Sequence, residues 1–227
     1  MTSILFLCSG GGGSLRYVYK LWKENLLPEI SEINVIFDRE CDAINWCKKK
    51  DLRYKLIKVY KDDQEALLKQ SIIFNPSVII TNIFKILNNK FINQFKGKCI
   101  NAHWSLLPSF AGKIGNNSIK SALEYKEKII GSTIHFVSND LDMGEPITQI
   151  VFGVNNDEDL KYHTNLMFKA SSIALYTSLK KLLKEEINLK SSHTFKLGNV
   201  DMLISPFYKS PDLFNKKEFW EDIKYSK

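Results

Sequence analysis

Residues 3–22, SILFLCSGGGGSLRYVYKLW, join an apolar run to a glycine loop and then to a segment with helical spacing. Residues 3–8 form a short, almost continuously apolar segment, which is typical of a buried strand. After the glycines, Leu15, Val18 and Trp22 recur at the spacing of an amphipathic helix. This order predicts a strand, a glycine loop and a helix.

The same alternation continues through the first half of the chain. Apolar runs and helical spacing predict, in order, a strand over 32–37, a helix over 42–50, a strand over 54–59, a helix over 62–74 and a strand over 78–81. Strands that alternate with helices form parallel sheets with crossover connections. The sequence therefore predicts an α/β protein with a Rossmann-like, doubly wound, mostly parallel sheet and helices on both faces.

The second half is organised differently. Its patterns predict a strand over 98–103, a helix over 118–126, strands over 131–137 and 146–154, a helix over 157–184 and a strand or hairpin over 195–203. The loop after His103 contains Pro108, Gly112 and Gly115, and a long irregular segment in a compact domain usually lines a site. We expect one catalytic domain, 1–189, and a short C-terminal extension, 190–227, whose aromatic side chains pack on it.

Composition places the chain among ordinary globular proteins. It has 227 residues, of which 44% are hydrophobic and 25% charged, and 32 Lys and Arg against 25 Asp and Glu give a formal net charge of +7. These values exclude a disordered chain, a collagen and a disulfide scaffold. The positive charge is scattered rather than gathered into a stripe, so we expect no nucleic-acid partner.

The sequence also lacks signals for a membrane segment or a metal site. No apolar run approaches the roughly 20 residues that span a bilayer, and no basic segment precedes the first run. The four cysteines, Cys8, Cys41, Cys47 and Cys99, form no C-x-x-C pair, which favours reduced thiols over disulfides or a zinc site. We expect a cytoplasmic protein with no membrane contact and no metal.

Three segments at strand ends could carry chemistry, because ligands of open α/β sheets bind at the carboxyl ends of the strands. The first, 9–14, is glycine-rich and begins a helix, so its N–H groups suit a phosphate, although a plain tight turn is the alternative. The second contains Asn101 and His103, which share a strand face because they are two residues apart. The third is the turn with Asp140 and Asp142. Taken singly, such a histidine or aspartate more often has a structural role.

Together, residues 101–149 carry a more specific signature. It consists of Asn101-x-His103-x-Ser105-Leu106-Leu107-Pro108, then Gly131-x-Thr133-x-His135-x-Val137, then Asp142-x-Gly144 and Gln149. In these motifs the chain resembles the formyltransferase family that uses 10-formyltetrahydrofolate, and the likeness extends from the first strand to about residue 184. The resemblance implies that Asn101, His103 and Asp142 form the catalytic group, with 10-formyltetrahydrofolate as co-substrate and no metal.

Formyl transfer to an amine explains why these residue types are needed. Attack of the amine on the formyl carbon creates an oxyanion and an ammonium that must lose a proton. A His103 imidazolium and the Asn101 amide can donate hydrogen bonds to the oxyanion. Asp142 can hold His103 protonated and can receive the amine proton, directly or through water.

The resemblance also implies where the two substrates bind. The folate donor is expected against Phe84, Lys85, Leu87, Ile92, Val137, Asn139, Asp140 and Leu141. Leu87 and Ile92 would also be plausible core residues. The acceptor is expected at the glycine loop, formed by Ser9, Gly10, Gly11, Gly12, Gly13 and Ser14. Both expected substrates are small molecules. The aromatic C-terminal tail is also compatible with a homodimer.

Departures from the family pattern bear on the acceptor. Ser14 and Ser172 stand where members that formylate glycinamide ribonucleotide carry an Asn and a Glu, and Lys85 replaces an Arg that has a forked donor. The sequence therefore favours the amine of a nucleotide-linked amino deoxysugar, as in surface polysaccharide or O-antigen biosynthesis. The alternatives are phosphoribosylglycinamide, in purine biosynthesis, and a catalytically silent folate-binding protein.

Overall fold

The structure is a computed structural model that describes residues 2–183, 191–209, 211–221 and 223. Contacts group the chain into two compact units. The first is Met1–Asn101, Val137–Asn139 and Ile223–Lys227, and the second is Ala102–Phe136 and Asp140–Asp222. The predicted end of the long helix, Lys184, and the predicted boundary between residues 189 and 190 lie outside the described residues. The division into a catalytic domain and an extension therefore stays a prediction.

In the described residues, the first unit contains five strands, all parallel. They are β1 (Thr2–Cys8), β2 (Ile30–Phe37), β3 (Arg53–Leu56), β4 (Val78–Asn82) and the start of β5 (Cys99–His103), in the order β3-β2-β1-β4-β5. The connecting helices are α1 (Gly13–Lys23), α2 (Asp42–Lys49), α3 (Glu65–Phe74) and α4 (Asn89–Gln94). This is the order of a doubly wound Rossmann-like sheet, so the predicted fold class is confirmed.

The parallel strands are deeply buried, which explains their continuous apolar runs. Residues 4–8 of β1 are at most 1% exposed. One apolar cluster joins Leu5 and Leu7 of β1 to Ile36 of β2 and Ile79 of β4. Helix α1 turns its apolar face inward at the spacing that predicts it from the sequence. This core holds the carboxyl ends of β1, β2 and β4 in place.

The second unit contains an antiparallel sheet. Its strands β6 (Ile129–Phe136), β7 (Pro146–Gly153), β8 (His193–Leu197) and β9 (Val200–Ser205) lie in the order β6-β7-β9-β8. Its helices are α5 (Asn116–Glu124), α6 (Leu160–Leu183) and α7 (Lys217–Glu221), with a short 3-10 turn at Asp212–Asn215. Trp220 of α7 is buried and contacts Phe168 of α6 edge to face, so the aromatic tail packs against α6. No helix in the described residues combines the length and apolar character needed to cross a membrane.

Some element boundaries differ from the prediction for local reasons. Helix α3 begins at Glu65 rather than at residue 62, because the buried Gln64 side chain bonds to the loop that follows β4. Helix α6 begins at Leu160 rather than at residue 157, because the Asp159 carboxylate caps its first turn. The sequence does not predict α4, whose six residues are too few to show a helical period.

The cysteines agree with the sequence prediction of reduced thiols. All four are free, and Cys8, Cys47 and Cys99 are buried. Burial raises the pKa of both Cys47 and Cys99 to about 12, so these thiols stay protonated at neutral pH. They therefore act as small apolar core residues.

Candidate active site

The side chains of His103 and Asp142 meet in the second unit. Nδ1 of His103, the last residue of β5, lies 3.3 Å from Oδ2 of Asp142, and the two side chains are only 6% and 9% exposed. Nε2 of the same ring lies 3.2 Å from the carbonyl oxygen of Phe110. Since carbonyl and carboxylate oxygens only accept, a doubly protonated imidazolium can donate to both. The structure thus brings together two of the three predicted catalytic residues.

Asp142 lies in a turn that holds its carboxylate in one place. Its φ of +56° is in the left-handed region, which Asp and Asn adopt more readily than most residues. The N–H of Gly112 donates to Oδ2 over 2.7 Å. Gly112 of the loop that follows β5 and the His103 side chain therefore both contact the Asp142 carboxylate. This gives a largely buried acid–base pair that is fixed from two sides.

A hydrogen-bonded network on β6 holds the start of that loop. The Thr133 hydroxyl donates to the Ser105 carbonyl oxygen over 2.8 Å and accepts from the N–H of Leu107 over 3.0 Å. It also accepts from Nε2 of Gln149 over 3.0 Å. A hydroxyl has one donor and two acceptor positions, so these three contacts fill the hydrogen-bonding capacity of the Thr133 hydroxyl. The sequence motif contains Thr133 and Gln149, but sequence reasoning assigns them no role.

Two glycines of the motif have no room for a side chain. A Cβ on Gly131 would lie 2.1 Å from the carbonyl oxygen of Ile150. A Cβ on Gly144 would lie 1.6 Å from the carbonyl oxygen of Phe136, against the strand that carries His135. Both distances are far below a normal contact, so these positions require glycine. Close packing at Gly144 fixes the turn that presents Asp142.

We expect Gly144→Ala to lower the free energy of unfolding by about 3 kcal/mol, because the added methyl group must displace backbone. The matched control is Gly153→Ala at the end of β7, where a Cβ meets no atom within 4 Å. Thermal and urea unfolding of the two variants measure the difference. Equal stability of both variants would show that the turn adapts and that Gly144 does not fix Asp142.

In the first unit, the helix that follows the glycine loop begins without a side-chain cap. Gly12 is the N-cap of α1 with a φ of +71°, it makes no side-chain cap hydrogen bond, and the first turn contains no acidic residue. The first N–H groups of a helix carry partial positive charge and lack partners within the helix, which suits a phosphate. The Ser9 hydroxyl is 4% exposed and accepts from the N–H of Phe84, so it fixes the loop rather than facing solvent.

The residues predicted to bind folate divide into exposed and buried groups. In the first unit, Phe84, Lys85 and Asn139 are exposed, whereas Leu87 and Ile92 are each 6% exposed and pack in the core cluster, against which Val137 also packs. Leu87 and Ile92 therefore have the core role that the sequence leaves open. In the second unit, Asp140 and Leu141 are exposed.

Asn101 is the last residue of the first segment of the first unit, and it is half-buried. It precedes His103 by two residues on β5, and its catalytic role stays a prediction from that spacing. In the described residues, no group of three or more His, Cys, Asp or Glu side chains is arranged to hold a metal ion.

Comparison with known families identifies the family to which this fold belongs. The family model described as formyl transferase matches residues 4–179. The chain belongs to the formyl transferase family. This confirms the predicted family and the predicted class of enzyme, a folate-dependent formyltransferase.

Individual members of the formyl transferase family show how far the similarity extends. The chain is 27% identical over 169 residues to phosphoribosylglycinamide formyltransferase of Escherichia coli (strain K12), covering 70% of this chain and 77% of that protein. It is 25% identical over 179 residues to formyltetrahydrofolate deformylase of Bacillus subtilis (strain 168), covering 77% of this chain but only 59% of the deformylase. The crystal structure of phosphoribosylglycinamide formyltransferase from Bacillus halodurans superposes with a TM-score of 0.74 at 20% identity, covering 81% of this chain and 96% of that one, and shows the shared fold.

Proposed function

We propose that this formyltransferase moves the formyl group of 10-formyltetrahydrofolate to the amine of phosphoribosylglycinamide. The observation that carries the proposal is the buried pair of His103 and Asp142, with Nε2 of His103 3.2 Å from a carbonyl oxygen. The donor supplies an activated formyl group. The protein must then stabilise negative charge on the formyl oxygen and remove a proton from the attacking amine.

His103 is assigned the first task. The Phe110 carbonyl oxygen marks a position where an oxygen accepts from Nε2, and a formyl oxygen that displaces this carbonyl would take the hydrogen bond. The donor becomes more effective as negative charge develops on the oxygen. Asn101, two residues earlier on β5, is assigned a second donor by its position on the same strand face.

Asp142 is assigned the second task. Its carboxylate lies 3.3 Å from Nδ1 of His103, and it can accept the proton that the amine loses on attack. Its burial keeps bulk water from weakening both interactions. The chain therefore needs no covalent intermediate on its own residues for this reaction.

The acceptor proposed here differs from the amino sugar that the sequence favours. That expectation rests on Ser14 and Ser172, two positions where a ligand-holding side chain is missing. Ser172 is 3% exposed on α6, so its hydroxyl is a buried group of the second unit. The E. coli relative, 77% of which is covered, is named for phosphoribosylglycinamide and therefore supports the purine alternative over the sugar nucleotide. The uncapped glycine loop suits the phosphate of such an acceptor.

The acceptor assignment is tested with three parallel reactions. Purified protein and 10-formyltetrahydrofolate are mixed with phosphoribosylglycinamide, with a nucleotide-linked amino deoxysugar, or with no amine. Release of tetrahydrofolate is followed by absorbance. We expect kcat/KM for phosphoribosylglycinamide to exceed that for the sugar by at least about a hundredfold. A preference for the sugar would restore the first expectation, and an equal rate without amine would indicate hydrolysis, as in the deformylase relative.

Gly10→Ala tests the phosphate role of the glycine loop. A Cβ on Gly10 meets no protein atom within 4 Å, so the fold should be kept while the methyl group hinders close approach of a phosphate. We expect KM for the acceptor to rise by about tenfold, with KM for the folate donor changing by less than about twofold. Gly12 is unsuitable because its φ is +71° and a Cβ would lie 2.9 Å from that of Ala43.

The control for Gly10→Ala is Gly153→Ala, which also adds a methyl group in open space. Both KM values are measured for each variant. An equal rise of the KM values for donor and acceptor, or no change in either KM, would count against a phosphate at the glycine loop.

A further inference from the structure

Asp142 faces a second histidine that the catalytic scheme does not use. Nε2 of His135, on β6, lies 3.8 Å from Oδ1 of Asp142, and the His135 side chain is 2% exposed. The other carboxylate oxygen, Oδ2, lies near Nδ1 of His103 and accepts a hydrogen bond from the N–H of Gly112. The carboxylate therefore has a different neighbour on each oxygen.

The hydrogen bonds of His135 fix its tautomer. Nδ1 lies 2.9 Å from the carbonyl oxygen of Phe136, which can only accept, so Nδ1 carries the proton. Nε2 has no hydrogen-bond partner in the part of the chain that the structure describes. In the neutral ring, Nε2 offers only a lone pair, and the carboxylate oxygen 3.8 Å away also offers only lone pairs.

Burial keeps this ring neutral. Desolvation lowers the pKa of His135, and the charge of His103 lowers it further. The hydrogen bond to Phe136 and the charge of Asp142 act in the opposite direction but do not reverse the shift. These neighbours, His103 from β5 and Asp142 from the following turn, are the titratable groups that face the ring. Nε2 therefore stays free to accept a hydrogen bond at neutral pH.

The turn after Asp142 packs closely against β6 next to His135. A Cβ on Gly144 would lie 3.5 Å from Nδ1 of His135 and 1.6 Å from the Phe136 carbonyl oxygen, so the turn after Asp142 lies directly against the ring. The 3.8 Å from Nε2 to Oδ1 is longer than a hydrogen bond, so an O–H on Oδ1 can donate to Nε2 only after a small approach of the two side chains.

We propose that His135 is a positioning residue whose Nε2 accepts a hydrogen bond from Asp142 when Asp142 is protonated. This rests on the proposed function, in which Asp142 takes the amine proton. In that step the N–H bond of the ammonium breaks, its electron pair stays on nitrogen, and an O–H bond forms on Oδ1. The new O–H then donates to Nε2. His135 thereby stabilises the proton on Asp142 until it leaves for solvent at the end of the turnover.

The first test measures Asp142 directly and needs no substrate. The chain has only four histidines, so single substitutions assign their ring nitrogens by NMR. We expect the His135 ring to be neutral and protonated on Nδ1 at pH 7. In His135→Asn, the side-chain carboxyl of Asp142, followed by ¹³C chemical shift, should titrate at lower pH, because its protonated form has lost an acceptor.

The second test measures turnover. We expect His135→Asn to lower kcat by roughly tenfold, less than the loss of a direct proton-transfer group, with KM for the folate donor unchanged. The acid limb of the kcat profile should move to lower pH together with the carboxyl titration. His135→Gln, whose longer amide can offer an oxygen near the position of Nε2, should recover part of the loss.

His163→Asn is the matched control. His163 is 1% exposed, its Nδ1 lies 2.8 Å from the carbonyl oxygen of Asp159, and its Nε2 also lacks a hydrogen-bond partner in the described residues. No carboxylate of the described residues forms an ion pair with it. This variant reproduces the structural cost of losing a buried histidine, and we expect it to leave the Asp142 titration and the acid limb in place.

The two tests separate the two proposals. A shifted Asp142 titration in His135→Asn, together with no turnover of any amine acceptor, would support the contact and overturn the proposed function. An unchanged Asp142 titration would overturn the role of His135, whatever the activity. An equal shift of the Asp142 titration in His163→Asn would also overturn the role of His135, because it would show that the shift follows from a general loss of packing.

Discussion

Asp142→Asn is expected to lower kcat by roughly a hundredfold or more while leaving the fold intact. Asparagine keeps the shape of the side chain, and it adopts the left-handed conformation that the φ of +56° requires. Its amide oxygen can still accept from the N–H of Gly112. What is lost is the negative charge that pairs with His103 and the ability to take up a proton.

Steady-state kinetics and thermal unfolding of the same protein sample check this result. The control is Asp157→Asn, at an exposed position in the connection between β7 and α6, which should match the wild type in both measurements. A kcat for Asp142→Asn within about threefold of the wild type would show that this carboxylate is not the proton acceptor. A large fall in melting temperature would instead assign Asp142 a mainly structural role.

His103→Asn is the second substitution with a large expected effect. The asparagine amide is too short to replace Nε2, so the donor that now meets the Phe110 carbonyl oxygen disappears. We expect kcat/KM to fall by roughly a hundredfold, the loss typical of removing one oxyanion donor. The buried Asp142 also loses its charged partner, so the free energy of unfolding should fall by about 1–3 kcal/mol.

The measurement that separates these effects is kcat at a temperature where the variant is fully folded, as judged by circular dichroism. His193→Asn, in the C-terminal hairpin, is the control for replacing a histidine outside the proposed site. Comparable kcat/KM in His103→Asn and wild type would remove the oxyanion donor from the mechanism. Loss of activity in proportion to loss of folded protein would have the same consequence.

Much of the first unit is predictable from the sequence because its signals are local. A buried parallel strand must be apolar along its length, so β1, β2 and β4 are visible as apolar runs. His103 and Asp142 are predictable as a pair because His103 ends one strand, Asp142 follows another, and the family motif links them. Helix α4 is not predictable, because six residues do not establish a period.

The role of His135 shows what the sequence could not provide. Strict alternation along β6 would place residues 131, 133 and 135 on one face. The register shifts between Ile134 and His135, where the pairing of His135 passes to Pro146. Such an irregularity depends on the turn and on the close packing of Gly144. The contact with Asp142 is therefore a tertiary feature that no local pattern specifies.

The acceptor was the weakest part of the sequence prediction for a related reason. Ser14 and Ser172 show that two family side chains are missing, but a missing side chain does not identify what binds instead. A loop that binds a phosphate through backbone N–H groups, as proposed for the glycine loop, leaves little trace in the residue types around it. Similarity to a phosphoribosylglycinamide formyltransferase over 77% of that protein's length supports the acceptor proposed here.

The most direct measurement follows the formyl carbon itself. Wild-type protein is incubated with ¹³C-formyl-labelled 10-formyltetrahydrofolate and phosphoribosylglycinamide, and the products are read by ¹³C NMR. We predict that the label moves to the amine of phosphoribosylglycinamide as a formamide, in step with the appearance of tetrahydrofolate. Recovery of the label as free formate, or its retention on the folate, would contradict transfer to this amine.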